Sequence, residues 1–223
     1  MLVLASASPR RRDLLAQAGY AFEILPASVP EDPRPNETPI GYVLRLAREK
    51  AEAVAASPEL LALTRDLQDP PLILGADTTV VAPNGEILGK PEDDADAARM
   101  LRLLAGATHQ VITGVALIAP TEIAPTDTAA ITEVAAEVTY VTMLTPSEED
   151  IARYIATGEP HGKAGAYAIQ GQAARWIPRI HGCYFNVVGL PLALVASMIE
   201  GVQSRLSAAK HPSPQTPAAP AAH

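Results

Sequence analysis

Apolar residues recur along this chain with two spacings, and each change of spacing marks the boundary of an element. The opening apolar run leads into LASASPRRR, residues 4–12, where Ser8 suits a helix N-cap, Pro9 the first helical position, and Leu14, Leu15 and Ala18 form one apolar face before Gly19. This predicts strand, tight turn and helix. A short strand in YAFEIL precedes a proline-rich loop that carries Glu31 and Asp32. Thr38 then opens a helix with Tyr42, Val43, Leu46 and Ala47 on one face and Lys50 one turn later. Leu72 to Val81 is a β-rich run, and Asn84-Gly85 predicts a type I′ hairpin back through EIL. EDDADAARMLRLLAG reads as a helix with Ala97, Met100, Leu101 and Leu104 inward. THQVITGVALIA and EVTYVTMLT are two strands joined by the loop APTEIAPTDTAA, TPSEEDIARYIATG is a capped helix, and GLPLALVASMIEGVQSRL closes the fold as a helix packed on the sheet.

Several residues break these patterns, and they carry the candidate chemistry. A helix N-terminus favours anions, so Arg10, Arg11 and Arg12 in one first turn are a local cost that a bound phosphate would offset. Asp77 lies inside an apolar strand, where a carboxylate needs a cation or several hydrogen bonds. Lys90 follows the return strand and can bring its ammonium to the same end of the sheet. Lys50, taken alone within its REK run, reads as a solvated lysine. Gly162, Gly165 and Gly171 imply a loop whose backbone approaches something closely, with Lys163 and Gln170 placed to touch a ligand. His109 reads as a polar strand-end residue, since no second His or Cys stands at a ligand spacing.

Composition narrows the classes. The 223 residues are 48% hydrophobic, enough for a substantial core, and 17 basic against 25 acidic side chains leave a net charge of −8. That sign, with one Trp and two Phe for base stacking, argues against a nucleic-acid-binding module. The single cysteine, Cys183, excludes an internal disulfide and reads as a small buried apolar residue. The N-terminal apolar run is too short for a signal peptide, and no stretch is long enough to span a bilayer, so a soluble cytoplasmic protein without membrane partners is expected. KHPSPQTPAAPAAH, residues 210–223, lacks a periodic apolar face and predicts a disordered tail, with the folded domain placed at 1–206 and the tail region beginning at 207.

Taken in order, SPRR, REKA, GADTTV, LGKP, HQVITG, KAGAYAIQG and NVVGLP resemble the signature series of the Maf family of nucleoside triphosphate pyrophosphatases, over about residues 2–205. The resemblance implies an α/β fold, a mixed twisted sheet flanked by helices in two lobes around a central cleft, similar in architecture to inosine triphosphate pyrophosphatases and commonly homodimeric. It implies cleavage of dTTP or UTP to the monophosphate and pyrophosphate with a divalent cation, Mg²⁺ or Mn²⁺. By that likeness Asp77 is the proton acceptor, and Glu31 with Asp77 binds metal. Lys50, Lys90 and Arg11 surround the phosphates, Ser8 belongs to the phosphate turn, and Arg10, Thr78 and Gln170 follow the pattern of the dTTP/UTP subgroup. Two positions depart from the family: Gly162 stands where Asp is frequent, and Pro30 precedes Glu31. A competing reading is a nucleotide-binding regulator of septum formation without turnover, which would need the phosphate site but no base.

Overall fold

The β-branched and aliphatic run Leu72–Val81 forms the central strand, β3, in the computed structural model of the chain, which describes residues 1–67, 69–120 and 130–210. β3 pairs in parallel with β1 (Leu2–Leu4) and antiparallel with β5 (Thr108–Ala119), which in turn pairs antiparallel with β6 (Ile131–Thr142). β2 (Phe22–Ile24) and β7 (Arg179–His181) extend the two edges, giving the order β2-β1-β3-β5-β6-β7, with β4 (Ile87–Leu88) paired to the far end of β3. The helices are α1 (Pro9–Gln17), α2 (Pro39–Ala55), α3 (Pro58–Thr64), α4 (Asp94–Leu104), α5 (Glu148–Ala156), α6 (Tyr184–Val188) and α7 (Leu192–Lys210). Thr38, Ser57, Asp93 and Ser147 cap α2, α3, α4 and α5 by accepting a main-chain N–H from the first turn. The fold is the mixed α/β sheet with flanking helices that the resemblance implied.

Alternation along β3 sorts its side chains between two faces. Ile73, Gly75, Asp77 and Val81 face α2, where Val43, Leu46, Ala47 and Ala51 pack. On the other face two cores sit side by side. Leu74, Ala76, Val115 and Leu117 join α1 and α7 through Leu14, Leu15, Val195 and Met198. Val80 and Val111 join α4 and α5 through Leu101, Leu104, Ile151 and Tyr154, with Trp176 beneath. Between these cores lies a single polar row, Thr78 opposite Thr113 in the β3–β5 register. The polar row is the boundary between these two cores.

Most of the predicted elements are present, with corrections. The hairpin turn is not type I′: only Gly85 has positive φ, at 88°, and its N–H donates to the carbonyl of Ala82. Pro83 carries a negative φ by its ring and puts a type I turn at Pro83-Asn84, with Gly85 following in the left-handed region. β6 begins at Ile131 rather than Glu137, and α3, β7 and α6 had no expectation because each is too short to show a period. α7 continues through Lys210, so the tail placed from 207 begins inside a helix; residues 211–223, like most of the 119–130 loop, lie outside the described residues. Cys183 is only partly buried, at the N-cap of α6, instead of in the core. Among the described residues no helix is long and apolar enough to cross a membrane.

Gly75 and Gly114 let α2 cross the sheet at backbone contact. A Cβ on Gly75 would lie 2.1 Å from the carbonyl oxygen of Ala47, and one on Gly114 2.3 Å from that of Val43. Neither neighbour is a flexible side chain, so a methyl must push the helix away. Gly114→Ala is therefore expected to cost about 3 kcal/mol and roughly 10 °C in melting temperature, and to lower activity by withdrawing Lys50; thermal denaturation of the purified variant measures the first.

Candidate active site

β1 stops pairing at Leu4, with Ala5 N–H donating to the Leu74 carbonyl, and β4 joins β3 only at Val80. Between them residues 75–79 of β3 have no strand partner on that edge among the described residues. A cavity of about 740 Å³ opens at this gap. Ser8, Arg10, Arg11, Glu31, Lys50, Asp77, Thr78, Lys90, Lys163 and Gln170 all line it, whereas Arg12 and His109, also singled out in the sequence, do not.

On the α2 side the cavity is acidic and basic at once. Lys50 donates to Glu31 Oε1 at 2.6 Å and to Asp77 Oδ1 at 2.7 Å, and Lys90 reaches Glu31 Oε2 at 3.1 Å. Lys50 is 7% exposed, so the solvated lysine suggested by its REK context is corrected: the close approach of α2 at Gly75 and Gly114 drives its stem inward. Partial burial opposes ionisation of Glu31, but the hydrogen bond and charge of Lys50, then those of Lys90, outweigh it and hold the carboxyl below its ordinary value. The loop bearing Glu31 is pinned to α2. Tyr42 Oη donates to the Glu31 carbonyl at 2.7 Å, and Arg45 donates to the Asp32 carbonyl at 3.1 Å and to Glu37 at 2.6 and 2.8 Å.

The arginine triplet divides into three fates, which corrects the reading of three cations gathered at one anion. Arg12 turns outward to Asp13. Arg11 is buried and donates to the Gly189 carbonyl at 2.9 Å, to Ser6 Oγ at 3.0 Å and to Thr78 Oγ1 at 3.0 Å. Arg10 alone lines the cavity without a hydrogen-bond partner among the described residues. Ser8 holds the N-cap position of α1 but makes no side-chain cap; its N–H donates instead to Ser6 Oγ at 3.3 Å. Ser6, absent from the sequence reading, is thus the hub of the turn, and nothing in LASASP distinguishes it from its neighbour.

The 158–172 loop closes the opposite wall. Lys163 donates to the Glu159 carbonyl, and burial, then the charge of nearby Arg10, push its ammonium below the ordinary value. Glu159, also unforeseen, clamps the base of the loop by accepting from Gln172 N–H at 3.0 and 3.1 Å and from Tyr154 Oη at 2.9 Å. A Cβ at Gly171 would lie 2.0 Å from that carboxylate, so a larger residue there would displace the clamp. Behind the loop His109 is 1% exposed and shares a 2.7 Å hydrogen bond with Tyr167 Oη, so it is a core residue and not the polar strand end expected.

The family model described as Maf-like protein matches residues 1–202 of the chain. The chain is 50% identical over 199 residues to the dTTP/UTP pyrophosphatase of Koribacter versatilis, covering 89% of this chain and 92% of that protein. It is 50% identical over 200 residues to the dTTP/UTP pyrophosphatase of Pelotomaculum thermopropionicum, covering 89% and 95%, and 50% over 192 residues to that of Salmonella typhimurium, covering 86% and 87%. A solved nucleoside-triphosphatase / dITP/XTP pyrophosphatase of Mycobacterium abscessus covers 95% of this chain and 97% of its own, at 14% identity and a TM-score of 0.37, a remote likeness only.

Burial pushes the His109 imidazole down from 6.5 to about 4, and Nδ1 has no partner among the described residues to receive a second proton's hydrogen bond. Because the folded value lies below the unfolded one, the folded chain binds fewer protons across that interval. The stabilisation is complete above pH 6.5 and is lost as pH falls toward 4, about 3 kcal/mol in all. The carboxylates held low here titrate from about 4.5 downward, leaving the upper window to His109. Melting temperature measured from pH 7 to 4.5 should fall in the wild-type chain and stay nearly flat in His109→Gln.

Proposed function

The chain belongs to the Maf-like protein family, and from that premise we propose that it hydrolyses dTTP and UTP to the monophosphate and pyrophosphate in the cavity at the β1–β3–β4 gap. The observation that carries this reading is the buried Lys50 bridging Asp77 and Glu31 on one wall, opposite two cations, Arg10 and Lys163, neither of which forms an ion pair among the described residues. Burial lowers the Arg10 guanidinium and the Lys163 ammonium alike, so an entering polyanion relieves a cost that the empty wall carries. Lys90, at the exposed mouth beside Glu31, adds a third donor.

Asp77 is the base. Lys50 occupies Oδ1 at 2.7 Å, which fixes the carboxylate's orientation and leaves Oδ2 to take the proton of the attacking water. As the water oxygen bonds to the α-phosphorus, the bond from that phosphorus to the bridging oxygen breaks and pyrophosphate departs. Lys50 and Lys90 lie on the Glu31 side of the reacting group, where their charge stabilises the phosphoryl oxygens.

The donor set also fits a divalent cation. Among the described residues no three His, Cys, Asp or Glu side chains cluster as a complete protein site, whereas two hard carboxylates, Glu31 and Asp77, share Lys50 beside the phosphate wall. One or two carboxylates completed by substrate phosphates is the arrangement Mg²⁺ favours. Glu31 and Asp77 would hold the ion, which when bound supplies neutralisation of phosphoryl charge.

Two measurements test the reading. A panel of nucleoside triphosphates should give dTTP and UTP the highest kcat/KM, with pyrophosphate and monophosphate as products; orthophosphate as the sole released anion would overturn it. Asp77→Asn should lower kcat by about 10²–10⁴-fold with the circular dichroism spectrum retained, and excess chelator should abolish turnover until Mg²⁺ or Mn²⁺ is restored.

A further inference from the structure

Gln170 lines the cavity, yet its side chain makes no hydrogen bond among the described residues. Its place in the wall is therefore set by the main chain that carries it, a turn in which Gly171 N–H donates to the Ala168 carbonyl at 3.1 Å. Both ends of that turn lead to one pair of side chains. The Ala168 N–H donates to Tyr154 Oη at 3.2 Å, and the Gln172 N–H donates to the Glu159 carboxylate at 3.0 and 3.1 Å. Tyr154 Oη closes the pair by donating to Glu159 Oε1 at 2.9 Å. Burial, then the bond to Glu159, push the Tyr154 hydroxyl above its ordinary value, so it keeps the proton that this bond needs. Tyr154 is fully buried on α5, T-shaped against Trp176 with 5.2 Å between ring centroids, and so fastens the turn to the core around α4 and α5.

We propose that Tyr154 and Glu159, neither of which lines the cavity, are positioning residues that hold Gln170 in the cavity wall and thereby set the affinity for the nucleotide. Anchors at Ala168 and Gln172 leave the turn between them little freedom to carry the amide away; once they are loosened, the amide has to be ordered anew each time a ligand enters. Glu159 also receives Lys163, but on its main-chain carbonyl. A change confined to the side chain of Tyr154 or Glu159 thus reaches Gln170 and leaves the acceptor of Lys163 in place. This rests on the reading of the cavity as a nucleoside triphosphate site and adds to it two residues that act on the ligand only through Gln170.

The experiment measures KM and kcat, for the triphosphate that wild type hydrolyses best, in wild type, Tyr154→Phe, Gly171→Ala, Gln170→Ala and the double variants that combine Gln170→Ala with each of the other two. Tyr154→Phe keeps the ring on Trp176 and removes only the hydroxyl that links Ala168 to Glu159. KM should rise about three- to tenfold with kcat within twofold of wild type, the signature of a contact made equally in the ground state and the transition state. Gly171→Ala, at a residue that lines no part of the cavity, reaches the same clamp from its other end through the Cβ that would meet the Glu159 carboxylate, and should raise KM alike. In the Gln170→Ala background neither change should move KM by more than twofold, because the amide they position is gone. A merely structural Tyr154 would lower the melting temperature and the folded fraction, hence kcat per mole of protein, with KM unaltered. A KM within twofold of wild type in Tyr154→Phe, or the same rise of KM with and without the Gln170 amide, overturns the proposal; should Tyr154→Phe not fold, Gly171→Ala carries the same expectation. A wild-type chain that hydrolyses no nucleoside triphosphate overturns the functional reading instead.

Discussion

The site depends on one geometric constraint: neighbouring residues of a strand point to opposite faces of the sheet. Asp77 and Thr78 are adjacent on β3, and in a continuous sheet they would never serve the same ligand. Both line one cavity here because β1 ends and β4 begins with a stretch of β3 left unpaired between them, and the cavity occupies that gap. Asp77 enters it from the α2 side with Lys50, and Thr78 from the side of the two cores with Arg11.

Each side is held by a different kind of packing. On the α2 side, two glycines permit backbone contact between helix and sheet, and that closeness buries Lys50 between its two carboxylates. A buried lysine is tolerated because it is doubly paired; remove either carboxylate and the desolvation of the ammonium is less well compensated. On the other side, Arg11 ties the turn after β1, the strand β3 and the end of α6 to one guanidinium through Ser6, Thr78 and Gly189. Its planar fork matches three acceptors at once, which a lysine point charge cannot reproduce. The residue that the sequence placed against phosphate is, by its bonding, a brace for the cavity floor, and Arg10 beside it is the cation left open to an anion.

Elements with a long period were legible from sequence alone: the ten-residue run of β3, the amphipathic α2 and α4, and β5 with its THQVITG entry all lie where apolar spacing put them. A carboxylate in an apolar strand, cations at a helix start and glycines around a lysine each break a local pattern, and so drew attention to Asp77, Arg10, Arg11 and Lys163, whereas Lys50, Glu31 and Thr78 entered as site candidates only through the family likeness. What sequence could not decide is which of these exceptions compensate one another. The fate of Lys50 turned on a helix–sheet distance set by Gly75 and Gly114, and that of His109 on Tyr167, fifty-eight residues away along the chain. Ser6 and Glu159 carry no local signal at all, since a serine in a turn and a glutamate after a helix are ordinary there; their roles arise from partners that only the folded chain brings within hydrogen-bond distance.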